Sequence, residues 1–282
     1  MIEVKHLTFS YGKEPFIEDM NFDVKKGEIF GFLGPSGAGK STLEKIIIGL
    51  IPGYQGSVTV DGIESNHHGK DFYENIGVDF EFSTMYEKMT ARDNLRFFAS
   101  LYRGKSRNID ELLRQMALLD SADKKVSAYS KGMKSRLNFI KALIHDPEVL
   151  LLDEPTSGLD PTNSRIMKEA ILTEKERGKT VLLTTHNMMD AAELCDRVAF
   201  IVDGRICALD TPHHLIMKRG ADKVTYTWNE GRFEQSGECL LSELSGDARL
   251  QELIARNKVT SIHSSEPSLN DIFMEVTGRR LV

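Results

Sequence analysis

The stretch "EIFGFLGPSGAGKST", residues 28–42, decides the fold that the sequence predicts. Its first six residues form a short apolar run, which is typical of a buried strand. The next nine, residues 34–42, fit the pattern G-x-x-x-x-G-K-[ST] of a phosphate-binding loop. Residues 40–50 then show the pattern of a helix. A strand, this loop and a helix in that order predict an α/β protein that binds phosphate groups.

The residue types of the loop suit this chemistry. Glycines let backbone N–H groups converge on phosphate oxygens without a Cβ in the way, and the helix N-terminus adds about half a positive charge. Lys40 is expected to bind the outer phosphates, and Ser41 to offer its hydroxyl to Mg²⁺. A flexible glycine turn is the alternative. The predicted phosphate-binding residues are Gly34, Pro35, Ser36, Gly37, Ala38, Gly39, Lys40, Ser41 and Thr42.

A second stretch, "LLLDEPTSGLD" at residues 150–160, ends a run of leucines in Asp153 and Glu154. Adjacent acids at the end of a buried strand are costly to desolvate unless something pairs with them. In enzymes with such a phosphate-binding loop, an acid at a strand end helps hold Mg²⁺, and Asp153 has this position. Glu154 could orient and deprotonate a water aimed at the γ-phosphate. Helix capping or simple solvation is the alternative, and Asp160 is placed before Pro161 as an ordinary N-cap would be.

Composition limits the other possibilities. The chain has 282 residues, 40% of them hydrophobic and 28% charged, which is typical of a soluble protein with a sizeable core. Its net charge of -6 gives no basic footprint for nucleic acid, and its three cysteines lack metal-ligand spacing. No apolar run approaches the length of a membrane span, and the start "MIEVKH" does not resemble a signal peptide. We therefore expect a cytoplasmic protein that something else must anchor if it works at a membrane.

The order of predicted elements indicates the architecture. Strands alternate with helices up to about residue 211, which predicts a mostly parallel sheet covered by helices. After residue 211 one more helix, opened by Thr211-Pro212, is followed by short β-like pieces and two helices. The predicted domains are 1–212, with a helical part at about 85–145, and 213–282. The predicted elements are a β region at 2–24, strands at 28–33, 57–60, 149–152, 180–185 and 197–202, and helices within 90–145.

Over roughly residues 1–212 the sequence resembles the nucleotide-binding subunit of an ATP-binding-cassette (ABC) transporter. The resemblance implies a P-loop NTPase cassette with an antiparallel β subdomain, a mainly parallel core sheet, a helical subdomain and a small C-terminal appendage. The motifs that carry it, in the family's order, are "LTFSYG" at 7–12, the loop at 34–42, "YSKGMKSRL" at 129–137, Asp153-Glu154, "SGLD" at 157–160 and "TVLLTTH" at 180–186.

The resemblance assigns roles to further residues. It implies that Tyr11 stacks on adenine, that Glu154 is the catalytic glutamate and His186 the switch histidine, and that Asp160 lies in the loop that touches a second subunit. It also implies that Ser130 and Gly132, at a helix start, meet the γ-phosphate bound to that subunit, so that MgATP closes a homodimer. Lys131 and Met133 depart from the usual signature. Local alternatives are an N-cap for Ser130 and a core or edge aromatic for Tyr11.

One departure concerns the metal. In "IGVDFEFSTMYEKMTARDNL", residues 76–95, the family usually carries a glutamine where this chain has Glu81. A hard dication prefers carboxylate oxygen, so we expect Glu81 to join Ser41 and Asp153 as a ligand of Mg²⁺. The alternative is that Glu81 stays in solvent and its loop is only a mechanical link.

The resemblance implies an ATP-hydrolysing subunit that drives a separate membrane permease from the cytoplasmic face. The ending "PSLNDIFMEVTG", residues 267–278, is similar to endings of drug- and antibiotic-export subunits and favours export, although an ordinary packed helix would look the same. Two alternatives remain. A small-molecule phosphotransferase would not need the Ser130–Gly132 helix start, and a cassette ATPase of DNA repair or translation usually has a long coiled coil or a second loop.

Overall fold

The computed structural model describes residues 1–80, 84–104, 106–218, 223–231, 233–265 and 267–279. The chain divides into two compact units between Leu209 and Asp210, a few residues before the boundary that the sequence predicts.

The first unit begins with an antiparallel sheet. Alternating burial along its strands places one face on the core, since Ile2, Val4 and Leu7 are buried and Glu3 and Lys5 are exposed. The sheet has the strand order β2-β1-β4-β5. Its strands are β1 (Ile2–Phe9), β2 (Ile17–Val24), β4 (Gln55–Val60) and β5 (Ile63–Glu64).

A second sheet of six strands forms the centre of this unit, in the order β10-β9-β3-β8-β7-β6. The pairs from β9 through β3, β8 and β7 to β6 are parallel, and β3 and β8 are buried along their whole length. Strands buried on both faces must be covered on each side, which explains their continuous apolar sequence; on one face Phe30 and Phe32 of β3 pack against Phe22 of the antiparallel sheet. The strands are β3 (Ile29–Leu33), β6 (Ile76–Asp79), β7 (Val149–Asp153), β8 (Thr180–Thr185), β9 (Arg197–Val202) and β10 (Arg205–Asp210).

Helices connect the strands of the first unit. The helix after the glycine-rich loop is shorter than the predicted 40–50, because the N–H of Leu50 bonds to the carbonyl of Lys45, five residues back, and ends the helical pattern. In the predicted helical part, Thr90, Asn108 and Ser130 each cap a helix with a side-chain oxygen. The helices are α1 (Lys40–Ile47), α2 (Ala91–Ala99), α3 (Ile109–Gln115), α4 (Lys131–Leu143), α5 (Pro161–Glu176) and α6 (Met188–Leu194), with 3₁₀ turns at Lys70–Glu74, Leu119–Ser121 and Val126–Ala128.

The second unit holds a three-stranded antiparallel sheet with the order β12-β11-β13. Tyr226, Leu250 and Leu253 form its small buried core. A full capping box between Ser268 and Asp271 opens its last helix. Its elements are α7 (Pro212–Met217), β11 (Lys223–Glu230), β12 (Phe233–Leu240), a 3₁₀ turn at Leu241–Glu243, α8 (Ala248–Ala255), β13 (Val259–Ser265) and α9 (Leu269–Thr277).

Among the described residues, no helix is both long and apolar enough to cross a membrane.

Candidate nucleotide-binding site

The central sheet brings the predicted motifs together. β3 lies beside β8, and β8 lies beside β7, with all three strands parallel. Their carboxyl ends therefore meet at one edge, where ligands bind in open α/β sheets. The glycine-rich loop follows β3, Asp153 ends β7 with Glu154 next to it, and His186 follows β8.

The loop after β3 has the conformation that its glycines allow. Gly39 precedes α1 with φ 106°, a value that a residue with a Cβ rarely adopts. Lys40 lies at the start of α1, and its Nζ donates hydrogen bonds to the carbonyls of Gly34 at 2.6 Å and Pro35 at 3.1 Å. Burial lowers the pKa of Lys40, while the charges of Glu154, Asp153 and Glu44 oppose this shift. The ammonium is thus enclosed by the loop that should cradle phosphate.

Asp153 links the loop to the neighbouring strand. Its Oδ2 accepts a hydrogen bond from Ser41 Oγ at 3.2 Å, and its Oδ1 accepts one from Thr184 Oγ1 at 2.5 Å. Thr184 is buried near the end of β8, so it fixes the carboxylate from inside the sheet. The two residues predicted to hold Mg²⁺, Ser41 and Asp153, are therefore direct neighbours.

Glu154 is paired with His186. The Nδ1 of His186 lies 2.7 Å from Glu154 Oε1, and Thr185 Oγ1 donates to Glu154 Oε2 at 3.2 Å. A carboxylate only accepts, so Nδ1 is the donor in this contact, and no described residue bonds to Nε2. Glu154 has φ 51°, the left-handed region that costs a non-glycine residue about 1–3 kcal/mol. Its N–H donates to the carbonyl of Thr184 at 3.0 Å, which helps hold this turn.

A further acid, which the sequence analysis did not predict, lies near this site. Glu44 lies in α1 and is only 1% exposed. Burial raises the pKa of Glu44 well above its usual range, and the negative charge of Asp153 adds to the shift. The sequence pattern of α1 does not indicate that Glu44 is buried, because a glutamate in an amphipathic helix is normally on the exposed face.

A cleft at this edge of the sheet connects these groups. Tyr11 is not among its lining residues in the described part of the chain, although the Tyr11 hydroxyl lies 3.0 Å from Thr42 Oγ1. The Tyr11 ring is 65% exposed and packs edge-on against Phe9 and Phe16. Phe16, which sequence reasoning missed, lines the cleft itself. The lining residues are Phe16, Ser36, Gly37, Gly39, Lys40, Ser41, Thr42, Asp153, Glu154, Ser157 and His186. Three loop residues, Gly34, Pro35 and Ala38, are not among the lining residues; Ala38 is buried, and its N–H donates to Pro35 O at 3.2 Å.

The other predicted site residues lie at helix starts. Ser130 caps α4, its Oγ accepting from the N–H of Met133 at 3.2 Å, and Gly132 is in the first turn. Asp160 caps α5, and its Oδ1 accepts from the N–H groups of Thr162 and Asn163, each at 3.1 Å. Hydrogen bonds from Asn163 lower the pKa of Asp160. None of Ser130, Gly132 and Asp160 is among the lining residues of the cleft in the described structure.

Glu81 lies outside the described residues, so its predicted role as a metal ligand stays a prediction. The acid two positions earlier, Asp79, is described: it ends β6 and is 4% exposed.

The donor set suits Mg²⁺. This ion takes oxygen ligands and is usually held by one or two protein groups together with waters and substrate phosphates. Ser41 and Asp153 offer a hydroxyl and a carboxylate joined by a 3.2 Å hydrogen bond, directly beside Lys40.

Comparison with known proteins also indicates an ATP-binding protein. The family profile described as ABC transporter matches residues 17–157. The chain is 49% identical to the fluoroquinolones export ATP-binding protein of Mycobacterium tuberculosis, over all of this chain and 94% of that protein. It is 35% identical to the Nod factor export ATP-binding protein I of Rhizobium meliloti, over 99% of this chain and 89% of that protein.

Solved structures agree with the sequence relatives. A structure described as the ATP-binding subunit of an ABC transporter has a TM-score of 0.71 and 29% identity, covering 77% of this chain and 92% of that one. A dimeric ATP-binding cassette in a post-hydrolysis state with ADP and Pi has a TM-score of 0.66 and 28% identity, covering 75% of this chain and 98% of that one. These matches confirm the predicted cassette fold.

Proposed function

This chain belongs to the ABC transporter family of ATP-binding cassettes, and from that premise we propose that it powers an exporter whose membrane-spanning part is a separate permease. It binds nucleotide and hydrolyses ATP, as the family does. The observation that carries the detailed proposal is the contact between Glu154 and His186 beside Lys40 and Asp153 in one cleft.

We assign the phosphates to the loop. The ammonium of Lys40 would leave the carbonyls of Gly34 and Pro35 for the outer phosphates, while the N–H groups at the start of α1 point toward them. Thr42 and Ser36 line the same cleft and add hydroxyl donors. Tyr11 would stack on the adenine beside Thr42, and its exposed ring makes this possible.

Hydrolysis requires a base at the γ-phosphate. Glu154 is the base in this proposal: its Oε1 and Oε2 are oriented by His186 and Thr185, and it would take a proton from the attacking water. His186 would use its free Nε2 to contact the phosphoryl oxygens or the water. Ser41 and Asp153, with Glu81 as a third candidate, would hold Mg²⁺, which when bound neutralises charge on the transferred phosphoryl group.

Two further features belong to the proposal. Ser130 and Gly132 would bind the γ-phosphate of a second subunit, with Asp160 in the adjacent loop, so that two ATP molecules join a homodimer. The membrane partner would hold this dimer at the cytoplasmic face. The relatives are named as export subunits, and this chain matches them over nearly their whole length. Both facts favour export over a role in DNA repair or translation. The 49% identical relative makes fluoroquinolones the first compounds to test.

The catalytic assignment is tested with Glu154→Gln and Lys40→Ala. Glu154→Gln removes the base and leaves the phosphate cradle, so we expect ATP affinity within about twofold of the parent and a loss of phosphate release of about 100-fold or more. Lys40→Ala should instead weaken ATP binding. Equilibrium ATP binding and single-turnover phosphate release measure the two effects. A Glu154→Gln protein that releases phosphate at the parent rate would show that Glu154 is not the base.

The export assignment is tested in membranes. The chain should copurify with a permease expressed with it, and vesicles holding both should move fluoroquinolones in an ATP-dependent way that Glu154→Gln abolishes. A chain that hydrolyses ATP but neither binds a permease nor supports transport would contradict export and leave the ATPase assignment intact.

A further inference from the structure

Glu154 and His186, the two residues proposed to act on the γ-phosphate, lie in segments without regular secondary structure. β7 ends one residue before Glu154, and β8 ends one residue before His186. The contact of 2.7 Å between the two side chains therefore depends on where two loops are held. Reactions of this kind are sensitive to position, since a shift of about 1 Å can cost about 100-fold in rate.

One carboxylate oxygen receives a hydrogen bond from each of these loops. Thr156 follows Glu154 by two residues, and its Oγ1 donates to Asp190 Oδ2 at 2.7 Å. Asn187 follows His186 directly, and its Nδ2 donates to the same Oδ2 at 2.9 Å. Asp190 thus links the segment that follows Glu154 to the segment that follows His186.

Asp190 and Thr156 are buried, whereas Asn187 is exposed. Asp190 is 6% exposed and Thr156 is 9% exposed. Lys168 Nζ lies 3.5 Å from the second oxygen of Asp190, so the buried carboxylate has a cationic partner. Hydrogen bonds to a charged acceptor are stronger than neutral ones, and a buried donor left without its acceptor is costly.

The position of Asp190 depends in turn on Asn187, which it holds. The Oδ1 of Asn187 caps α6 and accepts from the N–H groups of Met189 at 3.0 Å and Asp190 at 3.3 Å. The cap fixes the backbone of the first turn, and the Asp190 carboxylate then fixes the amide of the cap. Movement of the His186 loop would break both sets of bonds together.

We propose that Asp190 is a positioning residue for ATP hydrolysis, which acts by holding Glu154 and His186 in register through Thr156 and Asn187. This inference rests on the proposed function, in which Glu154 is the base. Asp190 itself is not among the lining residues of the phosphate-loop cleft in the described structure, so its loss should leave nucleotide binding largely intact.

The test compares Asp190→Ala, Thr156→Val and Glu193→Ala in the full chain. We expect the first two to lower kcat by about 10- to 100-fold with the Kd for ATP within about twofold of the parent. Glu193 is the matched control, because it lies on the same helix and also pairs with Lys168 but, among the described residues, bonds neither Thr156 nor Asn187. Glu193→Ala should keep the parent kcat.

A double variant makes the test specific. Thr156 and Asp190 act through one bond, so Asp190→Ala with Thr156→Val should be no more than about twofold slower than Asp190→Ala alone. If Asp190→Ala does not fold, Thr156→Val decides, because it removes one hydroxyl and keeps the shape of the side chain. A parent-like kcat in folded Thr156→Val, or a loss that appears only in ATP affinity, overturns the inference. Glu154→Gln distinguishes a failure of the proposed function from a failure of this inference. If Glu154→Gln retains full activity, the proposed function fails. If Glu154→Gln is inactive and Thr156→Val is fully active, only the role of Asp190 is rejected.

Discussion

Asp79 shows how tertiary packing changes the chemistry of a single residue. It ends β6, is almost fully buried and accepts a hydrogen bond from Asn138 of α4. Burial raises the pKa of Asp79 from its ordinary value of 3.8 to about 7; the charge of Asp153 adds to the shift, while Lys141 and the Asn138 hydrogen bond oppose it. The carboxyl is therefore protonated over much of the range in which an exposed aspartate is charged.

This shift predicts a pH-dependent effect of Asp79→Asn on stability. Between pH 4 and about 7 the folded state keeps a proton on Asp79 that the unfolded state has lost, so rising pH destabilises the parent across this window and no further above it. The variant lacks this term. We expect its stability relative to the parent to increase with pH by up to about 1.4 kcal/mol per unit below pH 7 and to level off above.

Urea unfolding of both proteins at several pH values, without nucleotide or Mg²⁺, measures this difference. The exposed Asp71, substituted by Asn, is the control and should track the parent. A constant difference between Asp79→Asn and the parent from pH 5 to pH 8 would rule out the shifted titration.

Single residues could be predicted where a motif fixes their surroundings. The loop at 34–42 and the pair Asp153-Glu154 could be recognised from sequence because each stands at a strand end, and parallel strands bring such ends together. Glu44, Asp79 and Asp190 could not. Each is a polar residue in or beside an element whose pattern fits an exposed position, and only packing against elements distant in sequence buries it.

At the scale of elements, β6 and α4 pack against each other at close range. A Cβ on Gly77 of β6 would lie 2.2 Å from the backbone carbonyl oxygen of Ala142 and 2.8 Å from side-chain atoms of Leu150 and Pro147. No side chain fits between the strand and the helix at this point.

Gly77→Ala is therefore expected to destabilise the protein by about 1–3 kcal/mol, because backbone atoms must move to admit the methyl group. Gly69→Ala is the matched control: its φ is -92°, no atom lies within 4 Å of the added carbon, and stability should change by no more than about 0.5 kcal/mol. Thermal or urea unfolding compares the two. Equal stabilities of the two variants would show that α4 adjusts to β6 without strain.

Elements were predictable where local signals determine them. Ser268 and Asp271 form the full capping box that their spacing predicts. Thr90 and Asp93 have the same spacing at the start of α2, but their capping box is incomplete. The carboxylate of Asp93 accepts from the hydroxyl of Thr90, and no bond joins it to the Thr90 N–H in the described structure. Sequence spacing indicates that two side chains can meet at a helix start, but the rotamer that each adopts depends on its neighbours.

In the whole molecule, two features of the first unit are predicted to bind phosphate, the loop at 34–42 and the start of α4, and they do not line one cleft in the described structure. The phosphate loop and its acids line one cleft, and the helix start at Ser130 is not part of that lining in the described structure. A hydroxyl and free N–H groups at a helix start attract an anion, and a second copy of the chain, with nucleotide in its own loop, would supply one. A solved structure of a similar cassette, bound to ADP and Pi, is dimeric.

Glu154→Gln should consequently form a dimer in MgATP and remain a monomer without nucleotide. ATP shifts the equilibrium only so far as it binds the closed pair more tightly than the single subunit, and in the proposed dimer Ser130 and Gly132 would supply that difference. The variant keeps ATP intact, so the closed state accumulates, whereas hydrolysis in the parent depletes it. Sedimentation velocity with MgATP, with MgADP and without nucleotide measures the populations, and MgADP should not support the dimer because it lacks the γ-phosphate.

Adding Ser130→Ala to Glu154→Gln should weaken the dimer about tenfold or more. This loss is beyond the loss of about 1 kcal/mol of helix-cap stability, which unfolding would report separately. A dimer that survives Ser130→Ala undiminished, or one that forms equally well with MgADP, would mean that the subunits associate through some other surface.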